Sequence, residues 1–190
     1  NGQAVGADYF TPGWTCYDKR IQYQCYDVTD LLRPGENALG VMLGDGWYHG
    51  QIIRQHAQRN YGDTLAALVQ LAVTLESGET VLLCSDGQWK WHTGPIFSSD
   101  FYLGETYDAR LELPGWDQPG FDDGEWSPCR ELDHQLDLLV AQEGLPARAH
   151  ELLKPIAVLK THRGETVLDM GQDMVGIMRF PVERPAEDTL

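Results

Sequence analysis

Basic residues are scarce in this chain of 190 residues: 14 Lys and Arg stand against 29 Asp and Glu, a formal charge of −15. A surface that acidic repels phosphate backbones and excludes nucleic acid as a partner. Long apolar runs are missing too. No stretch approaches the ~18 residues of a membrane-spanning helix, and the first residues carry no basic segment followed by an apolar one, so neither a membrane partner nor a signal peptide is expected. Paired cysteine motifs are also absent. Cys16, Cys25, Cys84 and Cys129 are widely spread and signal neither a zinc site nor a dense disulfide framework, although an even count permits two disulfides. Reduced thiols in a cytosolic protein are the expectation, with Cys25 a small buried hydrophobe within a strand. No segment offers a helix with caps, and internal repeats and low-complexity tracts are lacking.

What is abundant is glycine, aromatics and carboxylates: 20 Gly, six Trp and eight Tyr in a chain that is 42% hydrophobic. That length and apolar content support a real core in one domain, or one and a fraction. The mixture suits a neutral, hydroxyl-rich ligand or a divalent cation better than an anion, and the same acidity also serves solubility.

The chain is organised around residues 37–50, Asn-Ala-Leu-Gly-Val-Met-Leu-Gly-Asp-Gly-Trp-Tyr-His-Gly. Leu39, Val41 and Leu43 alternate as in a strand, which then breaks at Gly44, Gly46 and Gly50 around an Asp-Gly-Trp-Tyr cluster. Glycine permits positive φ and close backbone approach, so this loop can hold two large aromatics and a carboxylate at angles an ordinary turn forbids. Trp47 and Tyr48 can equally cover the edge of a core.

Around that stretch, strands recur every 8–12 residues. Residues 20–28 alternate, with Ile21, Tyr23 and Cys25 on one face. Residues 65–75 are long enough for a helix, but Val69, Val73, Thr74, the turn Glu76-Ser77-Gly78-Glu79 and the run Val81-Leu82-Leu83 favour a hairpin. Trp89 and Trp91 share one face of a short strand, as core residues or as a ligand platform. Further strands are expected after residue 154, at 166–170 and at 176–182. The texture changes between 130 and 150, which places a boundary near 148: a domain over 1–148, and over 149–190 the first strands of a second β-domain cut short. The fold class that follows is all-β, a sandwich or barrel.

Several motifs in order carry a family resemblance. Asn1-Gly2-x-x-Val5-Gly6, Pro12-Gly-Trp-Thr15, Tyr26-Asp-Val-Thr29, Gly44-Asp-Gly-Trp-Tyr-x-Gly50, Gly104-Glu-x-Tyr-Asp-Ala-Arg110 and Gly115-Trp-Asp117 resemble the amino-terminal module of bacterial α-L-rhamnosidases. Asp169-Met-Gly-Gln-Asp-Met-Val-Gly176 resembles the start of the β-sandwich that follows it. The resemblance implies a jelly-roll-like antiparallel β-sandwich that in some members binds rhamnose or a related sugar with the help of calcium. It places hydrolysis in a separate helical barrel, by an inverting pair of carboxylates; nothing in this sequence matches that barrel. The family module also has strands before the point matching Asn1, so an unpaired edge is expected here.

Sugar recognition needs a flat apolar face for the C–H side of a pyranose and polar groups aimed at its hydroxyls. Trp47, Tyr48, Tyr102, Tyr107 and Trp116 are candidates for the first, and Asp45, Asn60, Glu105 and Asp108 for the second. Calcium takes six to eight oxygens, for which Asn60, Asp63, Asp122 and Asp123 are candidates, though none has the spacing of a known loop motif. Arg110 is expected to form a structural ion pair with Asp108 or Glu105. His49, His56 and His92 read as ordinary surface or core histidines. Three functions follow: a non-catalytic carbohydrate-associated module, a structural domain packing on the barrel of the parent chain, or an independent glycosidase using Glu105 with Asp108 or Asp122.

Overall fold

The computed structural model describes residues 1–52, 57–179 and 181. The fold is all-β. Among the described residues the one α-helical element is a single turn, α1 (Gly46–His49), and no helix is long and apolar enough to cross a membrane.

Four strand pairs are nested like brackets along the chain. The outermost joins β1 (Asp8–Tyr9) to β10 (Ala147–Arg148), and inside it β2 (Ile21–Tyr23) pairs with β9 (Leu139–Ala141). Further in, β5 (Lys90–Trp91) pairs with β8 (Ser127–Pro128), and β6 (Ile96–Asp100) closes directly on β7 (Gly104–Tyr107). Nested pairing of eight strands is the wrap of a jelly roll. Three of these pairs are antiparallel, and β2 with β9 is the parallel exception. The hairpin of β3 (Gln70–Thr74) and β4 (Thr80–Cys84) is inserted between β2 and β5. After the wrap, β11 (Ala157–Lys160) and β12 (Thr166–Asp169) form a second hairpin.

The β3–β4 hairpin settles the ambiguity of residues 65–75. Val73 lies opposite Val81 and Leu71 opposite Leu83, and the turn closes through the Gly78 N–H donating to the Leu75 carbonyl. Elsewhere the alternating pattern overstates the strands. Ladder pairing in the 20–28 segment is confined to Ile21–Tyr23, leaving Cys25 beyond the strand and exposed rather than buried. Trp91 is 53% exposed rather than in a core. All four cysteines are free. Residues 37–43 form no strand; their ties include the Asn1 ammonium donating to the Ala38 carbonyl, the Ala38 N–H donating to Asn1 Oδ1 and the Asn1 side-chain amide donating to Asn37 Oδ1. A strand exists only through a partner, and alternation specifies faces rather than neighbours. Residues 176–179 likewise form no strand, while Phe180, Val182 and His56 lie outside the described residues.

Burial is concentrated in one place. Among the described residues Tyr17, Gly50 and Gln51 are the buried ones, and they sit where the loops after β1, at α1 and after β6 meet. That meeting point is also the site.

Candidate functional site

The site grows from a tight turn. Gly46 adopts φ +51, in the left-handed region that favours glycine. Gly50 is required by contact: a Cβ there would lie 2.4 Å from the Gly46 carbonyl oxygen and 2.8 Å from Asp100 Oδ2. The turn is pinned to β6 by Asp100. Its Oδ2 accepts from the Gln51 N–H at 2.6 Å, and its Oδ1 accepts from the N–H groups of Tyr102 and Leu103 at 2.7 and 3.0 Å. Burial pushes the Asp100 carboxyl up, but the three backbone donors outweigh it and hold the group below its ordinary value. The Tyr102 hydroxyl adds a bond to the Ile52 carbonyl at 2.9 Å.

Aromatic rings fill the space under this turn. Trp47 stacks on Phe101 with centroids 4.0 Å apart, and Trp14 lies nearly parallel on Trp47 at 6.4 Å. Phe10 meets both Phe101 and Trp47 edge-on. It does so from a left-handed backbone, φ 59, which costs an L residue about 1 kcal/mol. Tyr48 stacks on Tyr61, and both contact Tyr17. The Tyr17 hydroxyl donates to the Gly13 carbonyl at 2.7 Å, and burial pushes its pKa up to about 12.

Between these rings and the turn lies a cleft of about 360 Å³, at the small end of the ~300–1,000 Å³ typical of ligand sites. Phe10 and Phe101, 50% and 40% exposed, present apolar surface to it. Asp45 lines it as well. One carboxylate oxygen of Asp45 lies 2.7 Å from His49 Nδ1, and among the described residues the other accepts only a long 3.4 Å bond from the Ser99 N–H. That second oxygen retains capacity for a hydroxyl donor.

Of the residues chosen from sequence, the fold brings Asp45, Trp47 and Tyr48 to this cleft; Tyr102 braces it from the next turn. The rest lie elsewhere. Trp116 packs on the backbone of residues 37–43, where a Cβ on Gly40 would lie 2.4 Å from its ring. Tyr107 donates to Glu112 Oε1, and Glu105 is exposed on β7 opposite Ser99. Asp108 forms the expected ion pair with Arg110, 2.8 and 2.5 Å. The Arg110 guanidinium lowers the Asp108 pKa to about 2, so this carboxyl holds no proton to donate near neutrality.

The calcium candidates do not converge. Asn60 donates to the Ala57 carbonyl, Asp63 accepts from Thr64, Asp122 accepts from the Gly124 N–H, and Asp123 pairs with Lys90 at 2.7 Å. Among the described residues no three His, Cys, Asp or Glu side chains gather as a metal site.

Sequence reasoning passed over Phe10, Tyr17, Asp100 and Phe101. Only Asp100 carried a local signal, an Asp followed by two aromatics at the end of a strand.

Comparison with known proteins places this geometry. Residues 1–151 match the family described as the α-L-rhamnosidase N-terminal domain. An α-L-rhamnosidase of Streptomyces avermitilis is 43% identical over all of this chain, and one of Alteromonas sp. is 34% identical. The chain covers 18% and 21% of those proteins, so it spans about a fifth of their length. Among solved structures, native α-L-rhamnosidase from Aspergillus terreus superposes with a TM-score of 0.80 at 39% identity, over 92% of this chain and 20% of that one. The Streptomyces avermitilis enzyme complexed with L-rhamnose gives 0.80 at 40% identity, over 92% and 17%. A rhamnosidase N-terminal region thus accounts for the ordered motifs, the jelly-roll pairing and the superposition, and the chain belongs to the α-L-rhamnosidase N-terminal domain family.

Proposed function

We propose that this chain is a non-catalytic, carbohydrate-associated part of an α-L-rhamnosidase, and that the cleft beside Asp45 binds a rhamnoside-type sugar ring. The observation that carries this is the pairing, in one small cleft, of the half-exposed side chains of Phe10 and Phe101 with the under-used carboxylate oxygen of Asp45. Apolar faces take the C–H side of a pyranose, and a carboxylate accepts from its hydroxyls. Trp47 packs against both phenylalanine rings, and Tyr48 lines the same cleft while stacking on Tyr61. A relative crystallised with L-rhamnose supports the choice of sugar. Chemical-shift titration of L-rhamnose into the labelled chain tests it: saturable shifts at residues 45–51 and 99–103, lost in Asp45→Asn, are expected. Absence of shifts at millimolar sugar removes the proposal.

A specific observation also favours a supporting role within the parent protein. The chain exposes 15735 Å², where a compact monomer of 21.4 kDa exposes about 9,100 Å². The excess is rich in aliphatic side chains, among them Leu82 and Leu83 on β4 and Val158 on β11. Surface of that kind is what the remaining four fifths of a longer polypeptide would cover. The two roles are compatible, since one concerns the cleft and the other the sheet faces.

A further inference from the structure

A second cleft of about 190 Å³ lies against the first, and the two share Phe10, Thr11, Pro12 and Trp47 as a common wall. We propose that this second cleft is an adjoining subsite for a neutral sugar ring, so that the site takes a disaccharide or longer rhamnoside rather than a single residue. The proposal deepens the reading of the first cleft and rests on it.

Three features of the second cleft point to an uncharged, hydroxyl-bearing ligand. Its lining holds no charged side chain, in a chain whose formal charge is −15. Tyr9 and Phe10, 45% and 50% exposed, present ring surface to it. Two amides line it as well, Gln22 and Gln142, brought together from 120 residues apart by the parallel pairing of β2 with β9. The Gln142 N–H donates to the Tyr23 carbonyl at 3.1 Å, and Gln22 Oε1 accepts from the Glu143 N–H at 3.3 Å. The backbone is therefore fixed on both sides, while the Gln142 side-chain amide makes no hydrogen bond among the described residues. An amide offers both donor and acceptor, the complement of a hydroxyl. The first cleft, with Asp45 and Asp100, is acidic; the second is neutral, so the two subsites are chemically distinct parts of one groove.

The test is isothermal titration of L-rhamnose and of α-L-rhamnopyranosyl-L-rhamnose into the wild-type chain, Gln142→Ala and Gln142→Glu, with circular dichroism melts confirming that each variant folds. The disaccharide is expected to bind at least about tenfold more tightly than L-rhamnose to the wild type. Both variants are expected to bring it to the monosaccharide level while L-rhamnose binding stays within about twofold. Equal affinity of the two sugars for the wild type, or an advantage that survives in both variants, overturns the second subsite and leaves the first standing. Binding of neither sugar overturns both.

Discussion

The aromatic turn and the β3–β4 hairpin are built on opposite terms. In the turn, three distant segments converge, Tyr17 is 7% exposed, and one carboxylate holds three backbone donors. In the hairpin the backbone ladder is regular and five residues long on each strand, yet Val81, Leu82 and Leu83 are 37%, 54% and 56% exposed. Hydrogen-bonded strands without a covered face contribute little burial, because apolar area removed from water is what stabilises. The irregular region is therefore the better-packed one, and the candidate binding residues sit where packing fixes them.

The largest effect that separates the two regions is steric. Gly50→Ala drives a methyl into the Gly46 carbonyl and Asp100, whereas at Gly78, the hairpin turn with φ +84, nothing lies within 4 Å. Denaturant melts are expected to show a loss of about 3 kcal/mol for Gly50→Ala and about 1 kcal/mol for Gly78→Ala, which meets only the left-handed backbone. Equal losses would remove the distinction.

Acid acts next. The folded pKa of Asp100 lies below the ordinary 3.8, so its carboxylate contributes stability above that value, and the contribution is lost as pH falls through the folded pKa. Amide exchange at residues 45–51 is expected to accelerate relative to Gln70–Thr74 as pH falls below about 4, after correction for intrinsic rates. Asp100→Asn should abolish that difference. Parallel acceleration in both regions would show that Asp100 does not pin the turn.

The smallest effect belongs to the hairpin. Leu82→Ser, at a side chain 54% exposed, is expected to change the stability of the chain by no more than about 0.5 kcal/mol while reducing binding of an apolar dye. A loss of several kcal/mol would mean that this face is already covered in solution.

What was legible in the sequence follows the same division. The β3–β4 hairpin, the glycine-shaped loop of Asp45, Trp47 and Tyr48, and the ion pair of Asp108 with Arg110 are all local, and spacing within a few residues is enough to find them. Phe10, Tyr17 and Phe101 were illegible because ring contacts and hydrogen bonds between distant segments, not local pattern, bring residues 10–17, 44–51 and 99–103 together. The burial of Cys25 and the strand expected at 37–43 failed for a related reason. Alternation tells which side chains share a face, while what covers that face, or pairs with the edge, lies elsewhere in the chain. Trp116 has the composition of a ligand platform but spends its ring on Gly40, a contact no spacing rule foretells.

The central claim is that the cleft beside Asp45, and not the bare hairpin face, receives the sugar. Chemical-shift mapping during the L-rhamnose titration measures this directly. Saturable shifts confined to residues 45–51 and 99–103, with Gln70–Thr74 and Thr80–Cys84 unmoved and the response lost in Asp45→Asn, are the predicted result. Shifts centred on the hairpin, or none at all, would contradict it.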